Sequence, residues 1–344
     1  MPICNKPMSM PKIFTESFKG LVLLVVAGLL FSCADKSAHL SHEKAVLDSY
    51  VNSSVEMKLH KVSDRVYYVR GVPGIATDNE GFISNAGFVV TSEGVVVYDS
   101  LGTPSLAKKL VENIRTVTDK PIKTVVVGHY HADHIYGLQV FKEMGAEILA
   151  PIGYEEYMNS PFAQERLEER QFSLEPWVNE KTRLLHPDRV ITESERFTLG
   201  DTRFTMSLLG SAHSQGDMTL YVENDKVLFS GDIIFEGRIP FLGNANTKNW
   251  LETLIKFETD HVSALIPGHG PHAKDPQQAI VLTRRYLEKV RNVMSAAVDE
   301  LESFDEAYSQ ADWSEFEKLP AFEAGHRRNA YQVFLSIEQE QLNQ

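Results

Sequence analysis

Residues 129–134 read His129-Tyr130-His131-Ala132-Asp133-His134, which puts three imidazoles and a carboxylate within one short stretch. Imidazole nitrogen and carboxylate oxygen are donors that zinc and similar divalent ions accept readily. The stretch follows Val125-Val126-Val127-Gly128, an apolar strand pattern, so these polar residues fall on the loop that leaves a buried strand. A loop merely rich in histidine is the plain alternative. Four donor-type side chains at His-x-His-x-Asp-His spacing point instead to metal binding.

One loop cannot complete a two-metal site, so further donors must arrive from elsewhere. Three later apolar runs end in the same way. Residues 204–209 lead to Gly210-Ser211-Ala212-His213, residues 226–230 to Gly231-Asp232, and residues 264–266 to Pro267-Gly268-His269. Glycine lies one or a few residues before each donor and lets the backbone turn tightly and come close to an ion. Strand, turn and donor recur in series, and the expectation is that the four loops meet.

With these motifs in place the chain resembles the metallo-β-lactamase superfamily of metallohydrolases, between about residues 61 and 272. The matching motifs are Asp99 after the strand run 95–98, the cluster 129–134, His213, Asp232 and His269. The resemblance implies that His129, His131 and His213 hold one zinc, that Asp133, His134 and His269 hold a second, and that Asp232 bridges the two. Asp99 would orient one of these ligands from behind. The implied fold is α/β: a four-layer αββα sandwich with the metals at one edge and a C-terminal helical appendage. Flavodiiron members carry Glu at the second position of the cluster, where this chain has His131. Antibiotic-hydrolysing subclasses usually carry Cys or Ser where it has Asp232. The bridging carboxylate looks instead like glyoxalase II, the lactonases and the quinoprotein relay-system zinc metallohydrolases. The last group is similar over the longest span, through residues 81–102, 129–134, 231–241 and 267–271. Substrate does not transfer with fold and metal site.

Two zinc ions close together lower the pKa of a shared water, so that hydroxide exists near neutral pH. The implied reaction is attack of that hydroxide on the carbonyl of an ester, thioester, lactone or lactam. Asp133 would position the hydroxide or take its proton. No Gly-x-Ser-x-Gly nucleophile elbow occurs, so an acyl-enzyme is not required. Two other readings remain. One is a mononuclear iron dioxygenase acting on persulfides, which shares the His-x-His-x-Asp-His pattern. The other is a lipid-anchored accessory protein of a quinoprotein system, for which a degraded donor set is expected. Tyr130 either points away from the cleft or donates to an oxyanion. Residues 237–246, with Arg238, Phe241, Asn244 and Asn246, are candidates for a pocket wall. His39, His42, His60, His186, His261 and His326 have no donor partner at useful spacing and read as surface or structural residues.

The positioning elements follow from periodicity. Strand runs separated by turns occupy residues 66–98, a helical pattern covers 105–117, and 122–127 is the strand that feeds the metal loop. Residues 134–144 read as one helix, with Ile135, Leu138, Phe141 and Met144 at three-residue steps. Residues 155–187 are charged and helix-prone, either a wall near the metals or a solvated insertion. Helical spacing dominates after Pro276.

Residues 21–30 form an apolar run behind Lys12 and Lys19, the shape of an export signal and shorter than the about 20 residues of a membrane span. The run ends at Leu30-Phe31-Ser32-Cys33, which resembles a bacterial lipoprotein processing site. Lipidation of Cys33 and a periplasmic place at the membrane are implied, and Ala34 favours the outer membrane. The expected organisation is a signal peptide over 1–32, a tether over 33–60, a catalytic domain over 61–275 and a helical extension over 276–344. Only Cys4 and Cys33 occur, so the processed chain has neither disulfide nor thiol ligand. The formal charge is −13; residues 1–32 hold Lys6, Lys12 and Lys19 against Glu16, a net +2, which leaves −15 after processing. An acidic surface repels phosphate and argues against nucleic acid. The expected partners are a small-molecule substrate and the membrane, the latter through Cys33 alone.

Overall fold

The computed structural model describes residues 39–257 and 259–343. The export segment and Cys33 lie outside the described residues. The chain divides into two units after Asp48. In the first, residues 39–48 are helical (α1).

The second unit contains two sheets. In the first sheet β1 (Leu59–Lys61), β2 (Val66–Val69), β3 (Ala86–Val90), β4 (Val95–Tyr98), β5 (Ile122–Val126), β6 (Glu147–Pro151) and β7 (Arg189–Ile191) lie side by side in chain order. Pairing is antiparallel from β1 to β4 and parallel from β4 to β7. Parallel neighbours need crossovers. These are α2 (Pro104–Arg115), the pair α3 (Ala132–Ile135) and α4 (Leu138–Glu143), and the insertion with α5 (Tyr154–Met158) and α6 (Pro161–Ser173). The second sheet runs in the order β12 (Ala264–His269), β11 (Val227–Phe235), β10 (Asp217–Val222), β9 (Thr202–Gly210), β8 (Glu195–Leu199). Its β11 and β12 are parallel, joined across α7 (Thr247–Lys256).

The sheets pack face to face through Val66, Tyr68, Val96 and Val126 on one side and Phe204, Met206, Leu220 and Phe229 on the other. Helix α2 covers the outer face of the first sheet with Leu106, Leu110, Val111 and Ile114. It starts where Thr103 Oγ1 accepts the Leu106 N–H at 3.1 Å, satisfying one of the free amides of its first turn. On the far side α8 (Pro276–Asp299), α9 (Phe304–Gln310) and α10 (Phe322–Leu342) cover the second sheet. The result is the four-layer αββα sandwich of the α/β class.

The expected C-terminal helices are present and are packed into the domain: Tyr286, Leu287, Val290 and Met294 of α8 share one core with Ile233, Phe235 and Trp250, and α10 adds Val333, Phe334 and Ile337. Helix α8 lies against β11, and α9 and α10 pack on α8. Two expectations change. The tether does not run to residue 60. Ser53 Oγ and Ser54 N donate to Glu80 at 2.6 and 3.1 Å, Lys108 Nζ donates to Tyr50 O at 3.3 Å, and Asn113 donates to Met57 O at 3.2 Å. Residues 50–57 are therefore strapped along α2. Residues 134–144 are not one helix either. The chain breaks at Tyr136-Gly137 between α3 and α4, although all four apolar side chains still face inward. At Gly137 a Cβ would lie 2.0 Å from Ser100 O, so the chain there hugs the loop that follows β4.

Candidate metal centre

The four donor-bearing segments meet at one edge of the sandwich. The first follows β5: His129 is fully buried, His131 caps α3, and Asp133 and His134 occupy its single turn. His213 sits in the loop between β9 and β10. That loop is pinned by Asp217, whose Oδ2 accepts the N–H groups of Ala212 and Ser214 at 3.2 and 2.9 Å. Asp232 differs from expectation, because it lies inside β11 and not in a loop after it. Gly231 has φ of +53° and the register of β11 on β12 shifts on either side of it. This bulge turns the Asp232 carboxylate toward the histidines. His269 ends β12.

The donor atoms form two groups joined by one carboxylate. His131 Nδ1 is 3.0 Å from His129 Nε2 and 2.9 Å from His213 Nε2. Asp232 Oδ2 is 3.2 Å from His213 Nε2 and 3.8 Å from His129 Nε2. On the other side Asp133 Oδ2 is 3.5 Å from His134 Nε2 and 3.3 Å from His269 Nε2. Asp232 reaches this group too, with Oδ1 3.4 Å from His134 Nε2 and Oδ2 3.3 Å from His269 Nε2. His129, His131, His213 and Asp232 thus form one set of converging donors, and Asp133, His134 and His269 the other.

These positions fit metal ions better than a hydrogen-bond network. His134 Nε2 and Asp232 Oδ1 are buried and 3.4 Å apart, yet neither has a hydrogen-bond partner. His131 Nδ1 has a single lone pair and cannot accept from two neighbouring imidazoles at once. A tetrahedral ion with bonds of about 2.0–2.2 Å holds its ligand atoms about 3.3–3.6 Å apart, close to the separations seen. Burial lowers the pKa of His129, His131 and His213, the last to about 3, which keeps them as neutral bases able to ligate. At His134 burial is outweighed by Asp133, Asp232 and Asp99, and its pKa rises to about 10. Asp232 is likewise buried, yet His269, His134, His129 and His213 hold it well below the usual carboxylate range. Without an ion the neighbouring carboxylates thus hold an extra proton on His134, and a bound cation would take that proton's place.

The rear of each ligand is also fixed. His134 Nδ1 donates to Asp99 Oδ2 at 2.8 Å, and Asp99 Oδ1 accepts the Gly128 N–H at 2.7 Å. His269 Nδ1 donates to Ile83 O at 2.7 Å. Both bonds commit the imidazole proton to the rear, so Nε2 presents its lone pair to the centre. Asp99 does this from a left-handed backbone, φ +61°. In Asp99→Asn the backbone remains tolerable, but an NH₂ must now face one of the two N–H donors. Metal affinity is expected to fall by about 10–100-fold, read by competition with a chromophoric chelator. Unchanged affinity would reduce Asp99 to a structural role.

Several side chains around the centre stand differently from their sequence reading. Tyr130 is buried with its hydroxyl donating to Pro151 O at 3.2 Å, so it serves packing and is no oxyanion donor. The insertion reaches the site: Tyr157 of α5 stacks on Tyr130 at 6.0 Å, and burial, with a smaller contribution from Asp133, pushes its phenol up to about 12. The rest of α6 is largely solvated, with only Ala163 and Leu167 buried. Phe241 lies 6.4 Å from His131 and Trp250 5.2 Å from His213, an aromatic wall of which only Phe241 was legible in advance. Arg238 is buried over Phe235 at 5.8 Å with its Nε donating to Ile239 O at 3.3 Å. Burial pushes its pKa down while Asp232 and Asp133 oppose that, so a positive charge sits beside the carboxylate cluster. His272 bonds Tyr68, and His326 packs between Trp313 and Phe322 with its Nδ1 on the Tyr286 hydroxyl.

This fold and this donor set define a metallohydrolase, and the comparisons agree. The chain belongs to the metallo-beta-lactamase superfamily, whose family profile matches residues 79–269. It is 25% identical over 228 residues to a metallo-beta-lactamase type 2 from Elizabethkingia meningoseptica, covering 65% of this chain and 82% of that protein. It is 28% identical over 157 residues to the acyl-coenzyme A thioesterase MBLAC2 of Gallus gallus, covering 42% of this chain and 55% of that protein. Among solved structures, the sec-alkylsulfatase Pisa1 from a Pseudomonas species shares the fold with a TM-score of 0.64 at 18% identity, over 81% of this chain and 50% of that one. A metallo-beta-lactamase from Pontibacter korlensis does so with a TM-score of 0.53 at 20% identity, over 68% and 99%. The protein is a hydrolase of this superfamily with a His/Asp metal-binding cluster.

Proposed function

We propose that the protein is a dinuclear zinc hydrolase that cleaves an ester, thioester, lactone or lactam, and that its branch is the one shared with glyoxalase II and the quinoprotein relay-system hydrolases. One observation carries the two-metal reading: the Asp232 carboxylate stands between the donor groups, 3.2 Å from His213 Nε2 and 3.3 Å from His269 Nε2. A bound pair of zinc ions would supply a water ionised near neutral pH and a Lewis acid for the carbonyl oxygen. His129, His131 and His213 would hold one ion, Asp133, His134 and His269 the other, and Asp232 both. Asp133 keeps 20% of its side chain exposed against 2% for Asp232, so it is the carboxylate that faces an entering water and substrate. Its roles are to orient that water and to hold its proton. Arg238 places positive charge where negative charge develops during carbonyl attack. Phe235, Phe241 and Trp250 exclude bulk water from the imidazoles.

Metal analysis of protein produced with zinc and iron both available tests the reading. Two zinc ions per chain, with turnover of some member of an ester, thioester and lactam panel, are expected. One iron per chain with oxygen consumption would replace it by the persulfide dioxygenase reading.

The proposed location is the periplasmic face of a bacterial membrane, with the chain held by lipid on Cys33. Cys33→Ala is expected to move the protein from the membrane to the soluble fraction and to abolish incorporation of labelled fatty acid. Retention of either property would defeat lipidation at this residue.

A further inference from the structure

Strands β9 and β10 turn Phe204, Met206 and Leu220 into the space between the sheets, so the alternate residues Thr205, Ser207, Thr219 and Tyr221 face outward. On that outer side a trough of about 590 Å³ opens. Register explains its depth: Ser207 stands opposite Thr219 and Thr205 opposite Tyr221, so three of these four floor side chains are small. Arg196 and Arg203 form one rim, and the segment from Lys256 to Val262 that leaves α7 forms the other. None of the seven candidate metal ligands lines it.

The lining has two kinds of surface. Leu209, Leu228, Phe257 and Val262 are apolar and belong to, or pack on, the core beneath. Beside them stand three cations and one carboxylate, on a chain whose formal charge is −13. Glu223 already serves two of the cations, 3.0 Å from Arg203 Nε and 3.5 Å from Arg196 Nε. Lys256 has no ion-pair partner among the described residues. Nor have the hydroxyls of Ser207 and Thr219 a hydrogen-bond partner among the described residues, although Thr219 is only 1% exposed.

We propose that this trough is a second binding site, separate from the metal centre, for a small amphiphilic carboxylate of the fatty-acid kind. The chain lies on the apolar residues, and the carboxylate is held by Lys256 and the floor hydroxyls. A buried hydroxyl with an unspent proton is costly until something accepts it. An ionised carboxylate is an acceptor only and takes several donors at once. A bare inorganic anion would leave the apolar residues wet, and an uncharged chain would leave the floor hydroxyls without an acceptor. The volume lies within the about 300–1,000 Å³ of small-molecule sites.

The site does not depend on the hydrolase reading, and its test reads binding alone. Sodium octanoate is titrated calorimetrically into the metal-loaded full chain, with octanamide as the neutral counterpart. One octanoate per chain is expected, bound at least about tenfold more tightly than octanamide, the worth of one charge-assisted hydrogen bond. Lys256→Glu is expected to abolish that difference. Ser207→Phe, which fills the trough, is expected to abolish binding of both, with circular dichroism to confirm the fold. Lys256 is exposed, so its variant carries the test even should the Ser207 variant misfold. Octanoate binding that Ser207→Phe retains in folded form would place the ligand elsewhere, the metal centre included, and overturn the proposal. Octanamide bound as tightly as octanoate, a difference unchanged in Lys256→Glu, or no octanoate binding at about 10 mM would do the same.

Discussion

Asp232→Ala is expected to strip the centre of both metal ions and to lower turnover by at least about 10³-fold, since several kcal/mol of charge stabilisation go with them. Loss of any single imidazole removes a donor from one group. Asp232 is shared: its Oδ1 faces His134 at 3.4 Å, and its Oδ2 faces His213 at 3.2 Å and His269 at 3.3 Å. The surrounding histidines also stabilise its charge, holding it well below the ordinary carboxylate range despite burial. Asp232→Asn keeps the shape and removes the charge, so it separates the two contributions and is expected to retain at most one weakly held ion. Metal content after gel filtration, with circular dichroism to confirm the fold, decides the matter. Two tightly held ions in Asp232→Ala would show that the carboxylate does not bridge.

Gly268→Ala is expected to damage the same centre without touching a donor. A Cβ at this position would lie 1.9 Å from Asp232 Oδ1 and 2.9 Å from the Gly231 carbonyl carbon. Either the carboxylate leaves its place or β12 moves away from β11, and overpacking of this kind costs about 1–3 kcal/mol. Metal loss accompanied by a lower melting temperature is the expected result. Gly325→Ala makes a control of opposite sign. Gly325 lies within α10 with nothing within 4 Å of a new Cβ, so alanine there stabilises by up to about 1 kcal/mol through helix propensity. Full metal content in Gly268→Ala would mean that β11 and β12 can part without disturbing Asp232.

Much of the centre was legible because ligation is a property of residue type. His129, His131, Asp133 and His134 lie together in the chain, and their chemistry does not depend on what packs around them. His213, Asp232 and His269 could be found because each follows an apolar run and a glycine. The strands of both sheets were visible for a related reason: buried β-strands read as runs of Val, Ile, Leu and Phe. Trp250 was not placed and Arg238 was read only as part of a pocket wall, because the importance of each lies in a neighbour distant in the chain. Trp250 meets His213 across the fold, and Arg238 feels Asp133. The break at Gly137 escaped because its cause is Ser100 O, a backbone atom of another segment.

The sequence by itself determined which side chains could hold metal and in what order, the α/β character of the domain and the chemistry open to a cluster of imidazoles and carboxylates. The resemblance implied that one carboxylate serves both donor groups, but only the tertiary structure decided how it reaches them. That depends on the bulge at Gly231, which exists only where β11 meets β12 in parallel with shifted register. It also decided that the C-terminal helices are part of the core, because an apolar helix face shows that something will be covered but does not say what. Donor type is local and can be read from a residue; convergence and partnership are set by contacts between segments far apart in the chain.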